Sequence, residues 1–207
     1  MRLKRIVVMI SGGGSNLQAI IDSVKQGYIK AEIVGVLSNK SNAFGISRAE
    51  KEGIPVKVVE KEGLTEEEFN SANALALEKF APDLIVLAGY LSIIEGSIIQ
   101  KYKNRIINVH PSLIPAFCGM GYYGLRVHEA VLSYGAKLSG ATTHFVDEGA
   151  DTGPVIMQKP VQVLNGDTPE SLQKRILEVE HEILTKSVKL FCEDKIRVSG
   201  RKVVVDE

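Results

Sequence analysis

Apolar runs of strand length alternate with helical patterns through the first half of the chain. The runs at Ile6–Ile10 and Asp83–Ala88 are almost entirely apolar, which is typical of central parallel strands covered on both faces. Runs at Glu32–Leu37 and Pro55–Val59 predict two more strands, and a further strand is expected at Ile106–His110. Together these runs predict an open sheet.

Helical patterns separate the predicted strands. Apolar residues recur every three or four positions from Leu17 to Val24, ahead of a glycine. Thr65 is a suitable N-cap for a helix that begins with three glutamates and continues to about Phe80. Two further helices are expected at Ala43–Glu52 and Glu95–Tyr102. This order predicts an α/β fold that is doubly wound, with a mostly parallel but mixed sheet and helices on both faces.

The second half departs from this alternation. Pro111–Val127 contains prolines, glycines and a tyrosine pair, so we expect a loop with local turns there. His128–Tyr134 is predicted as a helix, and Thr168–Pro169 predicts the start of a long helix that ends near Cys192. The remaining predicted strands are Ser139–Val146, Pro154–Val163, Lys195–Val198 and Lys202–Val205. Because no repeat or linker is evident, we expect a single domain over residues 1–207.

The charge balance bears on possible partners. The chain has 25 basic and 25 acidic residues, so no global field attracts it to nucleic acid or to a membrane surface. Cys118 and Cys192 are far apart and lack metal-site spacing, which argues against a disulfide framework or a zinc site. No segment is long enough to span a bilayer. We therefore expect a cytoplasmic protein with free thiols, no nucleic-acid partner and no membrane partner.

Two polar side chains share one face of the predicted strand that ends at His110. Alternation places Asn108 and His110 on that face, and Pro111 ends the strand because proline cannot donate to a ladder. Ligands bind at the carboxyl edge of an open α/β sheet, so the pair is a candidate donor set for one carbonyl oxygen. For an arbitrary chain, the more common interpretation is that the two residues cap the following turn.

Two loops add candidate residues. Three consecutive glycines precede Ser15 and Asn16 at the start of the first helix, where free N–H groups favour an anion. A phosphate is one occupant, and a tight turn without a ligand is the alternative, since both the dinucleotide and the P-loop patterns are absent. Asp151 lies in an acidic loop after a strand, where it either turns back towards His110 or is solvated.

Four motifs carry a resemblance to a known family. They are Ser11–Gln18 (SGGGSNLQ), Leu87–Tyr90 (LAGY), Asn108–Leu113 (NVHPSL) and His144–Pro154 (HFVDEGADTGP). In this order they resemble the phosphoribosylglycinamide formyltransferases, folate-dependent enzymes of purine synthesis, over almost the whole chain. The Asn-x-His-Pro-Ser motif with a downstream aspartate is specific to the wider formyltransferase group. The glycine loop narrows the resemblance to the glycinamide ribonucleotide branch and its hydrolase relatives.

The resemblance implies a Rossmann-like formyltransferase fold and transfer of a formyl group from 10-formyltetrahydrofolate to the amine of glycinamide ribonucleotide. Asn108 and a protonated His110 would donate to the oxyanion. Asp151 would keep the proton on His110 and move protons through water. Neither a metal nor a covalent intermediate is expected. The expected partners are these two small molecules, and the chain is expected to be a monomer or a homodimer.

The resemblance also assigns substrate contacts. The nucleotide phosphate is expected on Gly13, Gly14, Ser15 and Asn16, and the ribose hydroxyls on Glu180. The folate is expected on Tyr90, Leu91, Ser92, Ile93 and Ile94, together with Val146, Asp147 and Asp151. Two residues depart from the family pattern. The pattern has an arginine at the position of Ser92 and a polar residue at the position of Leu177. Segment Cys118–Arg126 is longer than in that pattern.

Three other functions are compatible with the residues Asn108, His110 and Asp151 or with the fold. 10-Formyltetrahydrofolate hydrolase gives the formyl group to water and normally carries an additional amino-terminal domain. Methionyl-tRNA formyltransferase needs a carboxyl-terminal tRNA-binding domain. This chain begins at the predicted first strand and has a short tail after the last helix, so the transferase is the expectation. A non-catalytic nucleotide- or folate-binding module is the third alternative, and the presence of all three polar residues argues against it.

Overall fold

The computed structural model describes residues 2–94 and 96–206. The chain divides into two compact units, Met1–Ile107 and Asn108–Glu207. Each unit has its own elements and its own buried core. The expectation of a single domain over residues 1–207 stays a prediction.

The first unit alternates strands and helices, as the apolar pattern predicts. Its strands are β1 (Lys4–Ile10), β2 (Ala31–Ser38), β3 (Val56–Val58) and β4 (Leu84–Leu87), and its helices are α1 (Ser15–Lys25), α2 (Phe44–Lys51), α3 (Glu66–Phe80) and α4 (Gly96–Lys101). β1 pairs in parallel with β2 and with β4, and β2 pairs in parallel with β3. β1 is therefore an internal strand of the sheet, and its last five residues are buried because both of its faces are covered.

The second unit contains the antiparallel part of the sheet. Its elements are β5 (Ile106–His110, which spans the boundary between the units), α5 (Leu125–Tyr134), β6 (Leu138–Phe145), β7 (Val155–Gln162), α6 (Pro169–Cys192), β8 (Ile196–Ser199) and β9 (Lys202–Val205). β6 pairs antiparallel with β7, and β8 pairs antiparallel with β9. The strand order is β3-β2-β1-β4-β5-β6-β7, with β8 and β9 in a separate hairpin. The predicted mixed sheet is therefore confirmed.

Threonine caps set the start of the two longest helices. Thr65 accepts a hydrogen bond from the Glu68 N–H, and the Glu68 carboxylate accepts one from the Thr65 N–H, so α3 begins with a capping box. Thr168 forms the same reciprocal pair with Ser171 at the start of α6, and Pro169 occupies the first turn. Both predicted N-caps are confirmed.

The boundaries of some elements differ from the prediction. α5 begins at Leu125 rather than at His128, because Val127 is buried on the same helical face as Val131, one turn later. The glycines before Leu125 favour turns, so the sequence pattern did not predict this first turn of the helix. The residue at which the fourth helix was predicted to begin, Glu95, lies outside the described residues. None of the described helices is both long and apolar enough to cross a membrane.

Candidate functional site

His110 ends β5 and is only 4% exposed. Its Nε2 lies 2.9 Å from the carbonyl oxygen of Phe117. Because a carbonyl oxygen only accepts, Nε2 carries a hydrogen and donates it. The other ring nitrogen, Nδ1, faces a carboxylate oxygen of Asp151 at 3.4 Å. The orientation of the ring is therefore set from both sides.

Asp151 lies in the loop after β6 and has a left-handed backbone conformation, with φ 57°. Its Oδ2 accepts a hydrogen bond from the Gly119 N–H at 2.9 Å. Its Oδ1 lies 3.4 Å from Nδ2 of Asn108. The loop thus turns this carboxylate back towards the end of β5, where Asn108, His110 and Asp151 form one polar group, called here the β5 cluster. That these three residues are catalytic stays a prediction.

Burial has the largest influence on the protonation of His110. It lowers the pKa of the ring below its ordinary value, although the Asp151 carboxylate and the Phe117 carbonyl act in the opposite direction. The expectation that Asp151 keeps His110 protonated stays a prediction; the carboxylate acts in that direction and burial acts against it. The net direction favours the neutral ring with a hydrogen on Nε2, although Nδ1 then has no hydrogen to donate to the Asp151 carboxylate.

Asp151 is ionised next to this neutral ring. Burial by itself would raise the pKa of its carboxyl group. The neighbouring His144 and His110 rings, when they are protonated, and the Gly119 N–H outweigh burial and hold the pKa below its ordinary value. The β5 cluster therefore combines an amide donor, a neutral imidazole and a carboxylate, which suits the transfer of a proton at a polarised carbonyl group.

Sequence reasoning assigned no role to His144, the penultimate residue of β6. The side chain is buried, with 2% exposure, and its Nδ1 lies 2.8 Å from the carbonyl oxygen of Phe145. Its Nε2 lies 3.1 Å from Nδ2 of Asn108 and 3.6 Å from Oδ1 of Asp151. The available signal was a histidine near the end of a predicted strand, shortly before the loop that carries Asp151.

Two backbone groups also escaped prediction. The Phe117 carbonyl and the Gly119 N–H, both between β5 and α5, bind His110 and Asp151 respectively. Backbone groups do not depend on residue type, so no motif could reveal them. The longer segment Cys118–Arg126 contacts the β5 cluster through the Gly119 N–H, and this places the segment beside the candidate site.

The glycine loop of the first unit leads from β1 into α1. Gly14 is the N-cap with a φ of 70°, and among the described residues no side chain caps this helix. Gly13 is exposed, Gly14 and Ser15 are half-buried, and Asn16 is buried. Arg48 on α2 stabilises the loop, since its Nε donates a hydrogen bond to the Gly13 carbonyl oxygen at 2.9 Å. The N–H end of a helix suits an anion, and the phosphate site stays a prediction.

The predicted folate residues divide between the two units. In the first unit, Tyr90 and Ile94 are buried, whereas Leu91 and Ile93 are exposed. Ser92 accepts a hydrogen bond from Asn39 Nδ2 at 2.7 Å. In the second unit, Val146 and Asp147 are half-buried, and Asp147 accepts hydrogen bonds from the Gly149 N–H at 3.2 Å and from the Thr152 hydroxyl at 2.5 Å.

The predicted ribose ligand, Glu180, lies on α6. It is 8% exposed, and Leu177 on the same helix is half-buried. The role of Glu180 as a ribose ligand stays a prediction. Within residues 2–94 and 96–206, no group of three or more His, Cys, Asp or Glu side chains is arranged to hold a metal ion.

Comparison with known proteins gives consistent matches. The family model described as formyl transferase matches residues 4–188. The chain is 37% identical over 202 residues to the phosphoribosylglycinamide formyltransferase of Escherichia coli, and the match covers 97% of this chain and 93% of that protein. Glycinamide ribonucleotide transformylase 1 from Symbiobacterium toebii has a similar structure, with a TM-score of 0.93, 39% identity and coverage of 99% and 95% of the two chains.

A structural neighbour with another activity is also similar. A formyltetrahydrofolate deformylase from Pseudomonas syringae has a TM-score of 0.92 at 28% identity, with coverage of 100% of this chain and 67% of that chain.

Proposed function

Because the chain belongs to the formyl transferase family, we propose that it transfers the formyl group of 10-formyltetrahydrofolate to the amine of glycinamide ribonucleotide, in purine biosynthesis. The observation that carries this proposal is the β5 cluster, in which Asp151 lies within 3.4 Å of both Asn108 and His110. These groups are preorganised for attack of an amine on a carbonyl carbon. The proposed setting is the cytoplasm, with small-molecule partners and no metal.

The first step is attack of the neutral amine on the formyl carbon. A carbon–nitrogen bond forms, and the electron pair of the carbonyl double bond moves to oxygen. Nδ2 of Asn108 donates a hydrogen bond to this oxyanion. Removal of one donor of this kind typically costs about 100- to 1000-fold in rate, so a fixed amide is a large part of the proposed rate enhancement.

The attacking nitrogen must then lose a proton. Nδ1 of neutral His110 is the acceptor, and Asp151, 3.4 Å from this nitrogen, moves the proton directly or through water. The resulting imidazolium is stabilised by the Asp151 carboxylate and by the Phe117 carbonyl. Burial, which disfavours the imidazolium in the free protein, makes its positive charge more effective beside the oxyanion.

Collapse of the intermediate completes the transfer. The carbonyl double bond re-forms, the bond from carbon to the folate nitrogen breaks, and His110 returns the proton to that nitrogen through Asp151. Formylated nucleotide and tetrahydrofolate leave, and the enzyme regains its starting protonation. No covalent enzyme intermediate is needed. This cycle revises the expectation of a protonated His110 at the start of the reaction.

We assign the substrate contacts as follows. The phosphate binds the N–H groups from Gly13 to Asn16, where the dipole of α1 favours an anion. The ribose hydroxyls bind Glu180. The pterin and its chain bind the backbone and apolar side chains of residues 90–94 and 146–151, a combination that suits a flat ring with donors and acceptors on its edge.

Hydrolysis of 10-formyltetrahydrofolate is a second candidate, because the deformylase has a closely similar structure. The two functions differ in the acceptor. The decisive experiment measures tetrahydrofolate release by absorbance, with and without glycinamide ribonucleotide. Release that depends on the nucleotide supports the transferase. Release at the same rate without nucleotide establishes the hydrolase, and no release with either mixture overturns both.

A further inference from the structure

The hydrogen-bonding partners of His144 define its tautomer. Nδ1 lies 2.8 Å from the Phe145 carbonyl oxygen, which only accepts, so Nδ1 carries the hydrogen. Nε2 then has a lone pair and accepts, since the other polar atom near it, Oδ1 of Asp151, is 3.6 Å away and beyond hydrogen-bond distance. Nε2 lies 3.1 Å from Nδ2 of Asn108, which only donates. The two contacts are mutually consistent, and each satisfies a polar atom in a buried environment.

The opposite orientation of Asn108 is unfavourable. If the amide were turned over, its oxygen would face Nε2 of His144 and would lie near Oδ1 of Asp151, which is 3.4 Å from the present position of Nδ2. Two acceptors at that distance repel each other, and the amide would present no hydrogen to either neighbour. His144 and Asp151 together therefore hold the amide with its NH₂ group towards the cluster.

The two amide hydrogens are not equivalent. The contact to His144 at 3.1 Å is ordinary, whereas the contact to Asp151 at 3.4 Å is long and weak. A developing oxyanion can therefore replace Asp151 as the acceptor of the second hydrogen while the first stays on His144. Without the acceptor on His144, only the long contact to Asp151 opposes rotation of the amide, so the amide can present its oxygen to the oxyanion.

We propose that His144 is a positioning residue for Asn108. It accepts one hydrogen of the Asn108 amide and so directs the other to the oxyanion. The proposal rests on the proposed formyl transfer, because the oxyanion belongs to that reaction. It assigns a role to a side chain that acts through Asn108.

Two variants separate this role from simple packing. His144→Gln places an amide oxygen near the position of Nε2, so it restores the acceptor for Asn108. His144→Asn places an amide nitrogen near the position of Nδ1, so it keeps the hydrogen bond to the Phe145 carbonyl but removes the acceptor. Melting temperatures of both variants report whether the fold is intact.

We expect His144→Asn to lower kcat about 100-fold, the effect of losing one oxyanion donor, with KM for the nucleotide changed by less than about threefold. We expect His144→Gln to retain kcat within about tenfold of the wild type. In an Asn108→Ala background, His144→Asn should cause no further loss, since it acts through Asn108. A higher kcat for the Asn variant than for the Gln variant, or additive losses, would overturn the proposal.

A spectroscopic readout needs no substrate. Long-range ¹⁵N correlation spectra of the wild-type imidazole should assign a hydrogen to Nδ1 of His144 and a lone pair to Nε2. A hydrogen on Nε2 would overturn the proposal whatever the kinetics. If the wild type shows this tautomer and yet transfers no formyl group to the nucleotide, the proposed function fails on its own. If the wild type transfers the group and His144→Asn does so equally well, only the role of His144 fails.

Discussion

The pH dependence of stability should depend strongly on His128. This residue lies on α5 with 1% of its surface exposed, and its Nδ1 has no hydrogen-bond partner among the residues that the structure describes. Burial, and then the positive charge on His110 when that ring is protonated, lower the pKa of His128 from 6.5 to about 4. The folded protein therefore keeps this ring neutral under mildly acidic conditions in which the unfolded chain protonates it.

The sign and size of the effect follow from linkage. Between pH 6.5 and about pH 4, the unfolded state binds a proton at His128 that the folded state does not bind. The free energy of unfolding therefore has its full value above pH 6.5 and falls as the pH is lowered through this window. The difference between the two pKa values corresponds to about 3 kcal/mol, at about 1.36 kcal/mol for each pKa unit.

The assay is urea denaturation of the wild type and of His128→Leu at pH 7.5 and at pH 4. We expect the wild type to lose about 3 kcal/mol more than the variant over this range. His110 and His181 also have lowered pKa values, but both are present in each protein, so their contributions cancel to first order. An equal loss of unfolding free energy in the two proteins between pH 7.5 and pH 4 would refute the reasoning.

Three further variants test the candidate site and the loops around it. Asp151→Asn should keep nucleotide binding but lower kcat at least about 100-fold, because it removes a group that moves protons, and near-normal turnover would remove Asp151 from the mechanism. Gly14→Val should weaken binding of glycinamide ribonucleotide, because its side chain crowds the phosphate loop. A Cβ at Gly14 would lie 2.7 Å from Gly45 Cα, on a backbone with φ +70°. Calorimetry measures the binding, and unchanged affinity would count against the phosphate assignment. Gly153→Ala should destabilise the protein by about 1–3 kcal/mol and lower its activity, because a Cβ would lie 1.8 Å from the Phe145 carbonyl oxygen. A wild-type melting temperature for this variant would contradict the observed loop conformation.

Much of the architecture follows from local patterns in the sequence. The apolar run of β1 can be satisfied only by burial on both faces, and the threonines before α3 and α6 satisfy backbone N–H groups within one turn. The mixed sheet was also predicted, but the antiparallel pairing of β6 with β7 was not. The start of α5 was missed because glycines precede Leu125, and the burial of Val127 depends on contacts that are distant in sequence.

The sequence by itself determined which chemical groups are present and where strands end, because strand alternation and proline act locally. It placed Asn108 and His110 on one face at the end of β5, and it identified Asp151 as a carboxylate in an acidic loop after a strand. Only the tertiary structure decided their protonation and partners. Burial lowers the pKa of His110, although the Asp151 carboxylate raises it. The Asn108 amide lies in contact with His144 on another strand. Both effects depend on desolvation and on contacts between residues far apart in the chain, which no local pattern encodes.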